Sequence, residues 1–139
     1  MLSKINFSFI IQDNEKAARD ALARGDYLQA FLLMHTLIES LLRLFLDETD
    51  KDVNFSSLVK KYEKYLKEQN YRFPTLVNEL TQFNRRRNRI THQLWKKGYS
   101  FTNKQAKSAA DAAMKLYGLT IEFFETWDLE ITKIGFKYI

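Results

Sequence analysis

Arg87, Asn88 and His92, set in the run Arg87-Asn88-Arg89-Ile90-Thr91-His92, are the side chains here whose types and spacing suit chemistry on a phosphate. Arginine offers a planar fork of N–H donors that grips two phosphate or carboxylate oxygens, a geometry lysine does not reproduce. Histidine has an unperturbed pKa near 6.5, so it can take a proton in one step and return it in another. His92 is the only histidine in the basic part of the chain. On a helix Asn88 and His92 are i, i+4 neighbours, whereas Arg87 and His92 stand about 140° apart. One straight helix therefore does not aim both at one atom. A kink, long side chains reaching round, or a second copy of the helix across a twofold axis would.

The surroundings favour an anionic partner. From Leu80 to Ala110 there are eight basic residues (Arg85, Arg86, Arg87, Arg89, Lys96, Lys97, Lys104 and Lys107) and no acid, while the rest of the chain holds fourteen basic and seventeen acidic residues. The net charge of +5 is thus local, as on a phosphate-binding surface; the plainer alternative is a solvated helix face. Cysteine is absent and only two histidines, His35 and His92, are present, which excludes a disulfide scaffold and a Cys/His zinc site within one chain. The four glycines lie far apart, so neither a P-loop nor a dinucleotide-binding turn can form. No Gly-x-Ser-x-Gly elbow is present for a Ser-His-Asp hydrolase.

Positioning these residues falls to helices. The 139 residues are long enough for one domain with its own core, spanning 1–139, and periodicity predicts an all-α, up-and-down bundle of about five helices. The first is expected from about Asn14 to Ala23, ending at Gly25, with Asp26 capping the next. The second, about Tyr27 to Asp47, is apolar around nearly its whole circumference and must be central or shared with a second subunit. A third spans about Phe55 to Gln69. The fourth starts around Pro74, reaches about Trp95 and stops before Gly98; its stripe of Leu76, Leu80, Phe83, Ile90 and Leu94 contains Arg87 where a leucine would fit. The fifth is expected to open on the capping-box pattern Thr102-Asn103-Lys104-Gln105 and to run to about Asp128, with Ala106, Ala109, Ala110 and Ala113 admitting a close neighbour. Ile5/Phe7/Phe9 and Ile134/Phe136/Tyr138 alternate with polar or small residues and are read as short extended segments or a cover for a dimer seam. The chain lacks a secretion signal by its N-terminal pattern and any long uninterrupted apolar run, so a cytoplasmic location without a membrane is expected.

The six-residue run resembles the Arg-Asn-x-x-x-His signature of the HEPN superfamily (higher eukaryotes and prokaryotes nucleotide-binding domain), compact helical proteins of about this length. The turn Arg24-Gly25-Asp26-Tyr27 leading into an apolar helix that carries Glu39 fits the same layout. The resemblance implies a metal-independent endoribonuclease of toxin or antiviral-defence type, a homodimer whose arginines and histidines line a shared cleft, with no cofactor. It gives Arg87 and His92 the catalytic roles. Asn88 is assigned to orienting His92 or the phosphate, and Arg85, Arg86, Arg89, Lys96 and Lys97 to binding RNA. An antitoxin or a nucleotidyltransferase is the partner it suggests. Toxins of the superfamily paired with a minimal nucleotidyltransferase continue His-x-Tyr, and that tyrosine accepts AMP; this chain has His92-Gln93-Leu94, with Tyr99 as the nearby tyrosine.

Other readings stand beside this one. Arg87 can instead form a structural ion pair with Glu39. His35, Glu39 and Arg43, spaced i, i+4, i+8, make one polar stripe on the second helix and read as an internal hydrogen-bonded network. At the level of function the alternatives are a non-catalytic module binding RNA, nucleotide or a nucleotidyltransferase, and a purely structural dimerisation unit.

Overall fold

The computed structural model describes residues 7–71 and 75–126, and over them the chain is five helices. They are α1 (Phe7–Ala23), α2 (Tyr27–Leu46), α3 (Phe55–Glu68), α4 (Thr75–Lys97) and α5 (Tyr99–Glu125), with no strand among the described residues. The all-α bundle expected from periodicity is what forms.

The near-complete apolar circumference of α2 follows from its position. It packs against all four other helices, most extensively against α5 and α1. Ala30, Phe31, Met34, Leu37, Ile38, Leu41 and Leu42 are wholly buried. An 18-residue window of α2 is apolar enough to suit a membrane crossing by length and composition, contrary to the expectation from uninterrupted apolar runs; half of that window is buried within the bundle. The small-residue face of α5 behaves as expected, since Ala106, Ala109, Ala110 and Ala113 are buried and the backbone of α5 can approach α2 closely. Farther along, Tyr117, Ile121 and Phe124 continue that buried side, and Tyr117 donates a 2.6 Å hydrogen bond to the buried Glu15 of α1. On α3, Leu58, Val59, Tyr62 and Leu66 face inward while Lys60, Lys61, Lys64 and Lys67 are exposed.

Three local expectations are corrected. Phe7 and Phe9 are helical, because α1 begins seven residues earlier than the polar run from Asn14 suggested. Ile11, Ala18 and Ala21 give it a buried face, and a two-position alternation is too short to outweigh a continuous helical stripe. Ile5, Pro74 and the segment containing Ile134, Phe136 and Tyr138 lie outside the described residues.

The second correction concerns α5. It starts at Tyr99, not at Thr102, so Gly98 (φ +85°) alone separates it from α4. Thr102 is then an interior helical residue, fully buried, and its hydroxyl has no hydrogen-bond partner among the described residues.

The third is the cap of α2. Gly25 does take the left-handed conformation (φ +78°), but the Asp26 side chain makes no capping bond. Asn103 of α5 supplies it across the bundle: its Oδ1 accepts from Leu28 N at 2.9 Å, and its Nδ2 donates to Gly25 O at 3.0 Å. Asp26 is engaged elsewhere, accepting hydrogen bonds from Tyr99 Oη and from Arg24. These contacts tie the first turn of α5 to the α1–α2 turn and fix where α4 ends.

Candidate functional site

Arg87 projects from α4 into a polar cleft between α2, α4 and the start of α3. The cleft has a volume of about 350 Å³ and is lined by His35, Glu39 and Arg43 of α2, by Lys51, Asn54 and Ser56 near the α3 start, and by Asn84, Arg87 and Asn88 of α4, together with Val53 and Phe55. Arg87 is half-buried, as an arginine within an apolar stripe must be. Its described hydrogen bond is a long one, from Nη1 to Asn88 Oδ1 at 3.3 Å.

Glu39 does not pair with Arg87. It accepts from Nε of Arg43 at 3.0 Å, and the Arg43 guanidinium is further held by the carbonyls of Asp50 (2.9 Å) and Val53 (2.6 Å). Arg43 therefore pins the α2–α3 connection against α2 and forms a wall of the cleft. The one lining carboxylate is used by a cation other than Arg87.

His35 closes the back of the cleft. It is 6% exposed and packs against the rings of Phe55 (4.4 Å between centroids) and Phe83 (5.2 Å). Its Nε2 is 3.1 Å from Asn84 Oδ1. An amide oxygen only accepts, so this nitrogen carries the ring proton. Burial lowers the His35 pKa below its ordinary value and the nearby Arg87 charge adds to that effect, against opposing contributions from Asn84 and Glu39. The polar stripe on α2 is thus divided between two sets of hydrogen bonds, His35 with Asn84 of α4 and Glu39 with Arg43, and no described hydrogen bond joins them into the single network expected; the part of Asn84 is one no periodicity indicates. What the sequence does signal is that Asn84 shares the polar arc of Arg87 and Thr91.

His92 is elsewhere. It is exposed one turn beyond Asn88, with its ring edge-on to Trp95 at 5.1 Å, and it does not line the cleft of Arg87. Trp95 itself is 74% exposed. The helix is continuous through the motif, so the 140° divergence stands and a single chain does not bring Arg87 and His92 together.

The remaining basic residues spread over more than one face. Arg86 turns toward α5, donating to Ser108 Oγ at 2.8 Å, and with Arg89 lines a separate groove of about 240 Å³ above Phe31, Phe83 and Leu116. Lys97 sits 5.6 Å from the Phe101 ring centroid. Arg85 and Lys96 are exposed, like Asn88 and His92 on the same helix. Tyr99 donates to Asp26, which raises its pKa above the usual phenol value.

No family model, curated protein or solved structure matches the chain.

Proposed function

We propose that the chain is a metal-independent endoribonuclease of HEPN type, cytoplasmic and active as a homodimer, in which two copies of α4 face one another across a twofold axis. The observation that carries this reading is the split of the motif on one straight helix. Arg87 is a half-buried cation with no carboxylate partner among the described residues, and His92 is an exposed imidazole on a different face. A site divided in this way becomes complete when a second copy supplies the missing half.

In the shared site the two arginines hold the scissile phosphate and stabilise the charge that builds on its oxygens as phosphorus becomes pentacoordinate. One His92 takes the 2′-hydroxyl proton, the O2′–P bond forms, and the P–O5′ bond breaks. The partner subunit's His92 gives a proton to the departing O5′. The products are a 2′,3′-cyclic phosphate and a 5′-hydroxyl. Asn88, one turn from His92, orients the imidazole or a phosphate oxygen. Arg85 and Lys96 on the same exposed side carry the strand, and Arg86, Arg89 and Lys97 add attraction at longer range. Such a protein suits a toxin or antiviral effector restrained by an antitoxin; attachment of AMP by a nucleotidyltransferase would need Tyr99 to be freed from Asp26.

The test is incubation with RNA in excess EDTA. The wild type is expected to leave cyclic phosphate ends, while His92→Ala and Arg87→Ala retain the fold and lose cleavage by a factor on the order of 100 or more. Cleavage by His92→Ala at the wild-type rate would sink the mechanism. A second reading, an RNA-binding module without turnover, is favoured by the exposed Trp95 beside His92, a ring on which a base can stack. It predicts salt-sensitive binding, with log K falling linearly with log salt, and uncut RNA.

A further inference from the structure

The cleft holding Arg87 has a charge imbalance of its own, independent of His92. Its lining contains three fixed cations, Arg43, Lys51 and Arg87, against one carboxylate, Glu39. Arg43 is consumed by Glu39 and two carbonyls, so it neutralises that carboxylate and stays in the wall. Arg87 and Lys51 remain, with no acidic partner among the described residues. Both line the same cleft from different elements, Arg87 on α4 and Lys51 on the α2–α3 connection. Neutral hydrogen-bonding groups complete the lining: Asn54, Ser56, Asn84 and Asn88, with His35 at the back. At about 350 Å³ the cavity lies at the small end of ligand-binding pockets and suits a small molecule or a chain end.

We infer that this cleft binds a phosphate monoester dianion, gripped by the Arg87 fork and the Lys51 ammonium. Both cations attract a dianion, whereas a carboxylate, or the phosphodiester of a nucleic-acid backbone, carries one negative charge and gains about half that attraction. Arg87 presents the paired donors that match two phosphate oxygens, and Lys51 acts as a point charge on a third. Asn84 accepts from His35 through its amide oxygen, which leaves its amide nitrogen as a donor within the same lining. The inference goes beyond the ribonuclease reading, since it uses neither His92 nor a second subunit. If both hold, phosphate monoesters compete with RNA for Arg87.

The test is a ¹H–¹⁵N titration at constant ionic strength, near pH 7.5, with four probes: inorganic phosphate, a nucleoside 5′-monophosphate, the nucleoside without phosphate, and dimethyl phosphate as the monoanionic diester. The expected result is saturable shifts of Ser56, Asn84 and Asn88 with the first two probes, markedly weaker binding of dimethyl phosphate, and none of the nucleoside. Equal affinity for inorganic phosphate and the monophosphate assigns the site to the phosphoryl group alone; tighter binding of the monophosphate assigns it to a nucleotide or strand end. Lys51→Glu, at an exposed position that spares the fold, should weaken binding about tenfold or more, as should Arg87→Gln, while His92→Ala should leave it unchanged. Shifts that do not saturate, that spread over the exposed lysines of α3, or that persist in Lys51→Glu would overturn the inference. RNA cleavage without phosphate binding overturns this inference alone; phosphate binding without cleavage leaves it standing and counts against the ribonuclease.

Discussion

His35 is buried against two phenylalanine rings, and that placement makes folding stability depend on pH. Its folded-state pKa lies below the 6.5 of an unfolded histidine, so on acidification the unfolded chain takes up the proton first. The stability due to the neutral ring is complete above about pH 6.5, declines as pH falls through that value, and stops declining beneath the folded-state pKa. The urea midpoint of the wild type is therefore expected to drop between pH 7.5 and 5, and the drop to shrink in His35→Phe. A midpoint constant over that interval would contradict this placement of His35. At the same scale, Arg87 was legible in the sequence as an arginine where the apolar stripe called for leucine. Its neighbours Lys51, Asn54 and Ser56 were not, because loop and cap residues join a site through tertiary contact and leave no periodic trace.

The helices show where local patterns succeed and where they mislead. Five amphipathic or apolar runs gave five helices, since periodic burial is written along each segment. Two caps depart from the local pattern, at Asp26 and at Thr102, because the donor groups at the start of α2 are satisfied from α5 by Asn103, 75 residues away from Leu28. Asn103→Ala should consequently destabilise the protein by about 1 kcal/mol, the usual worth of an N-cap, in denaturant unfolding. Thr102→Val should be neutral or stabilising, because it replaces a buried hydroxyl without a partner by a methyl group. The reverse ranking would restore the capping box and contradict the helix start at Tyr99.

At the scale of the whole molecule, the central place of α2 accounts for its hydrophobicity within one chain, so that feature alone no longer argues for a dimer. It is α4 that calls for a second copy, because an uninterrupted helix directs Arg87 into the cleft and His92 to solvent. The divergence was readable from helical geometry, whereas the neighbours each residue would find required the fold. A site shared by two chains has a consequence for mixtures that an independent site in each chain lacks. RNA cleavage should be measured while wild type is replaced by His92→Ala at constant total protein, after the subunits have exchanged. If both His92 side chains serve one site, activity follows the square of the wild-type fraction and falls to about a quarter in an equal mixture. A linear decline to about one half would show each chain acting alone and contradict the composite site.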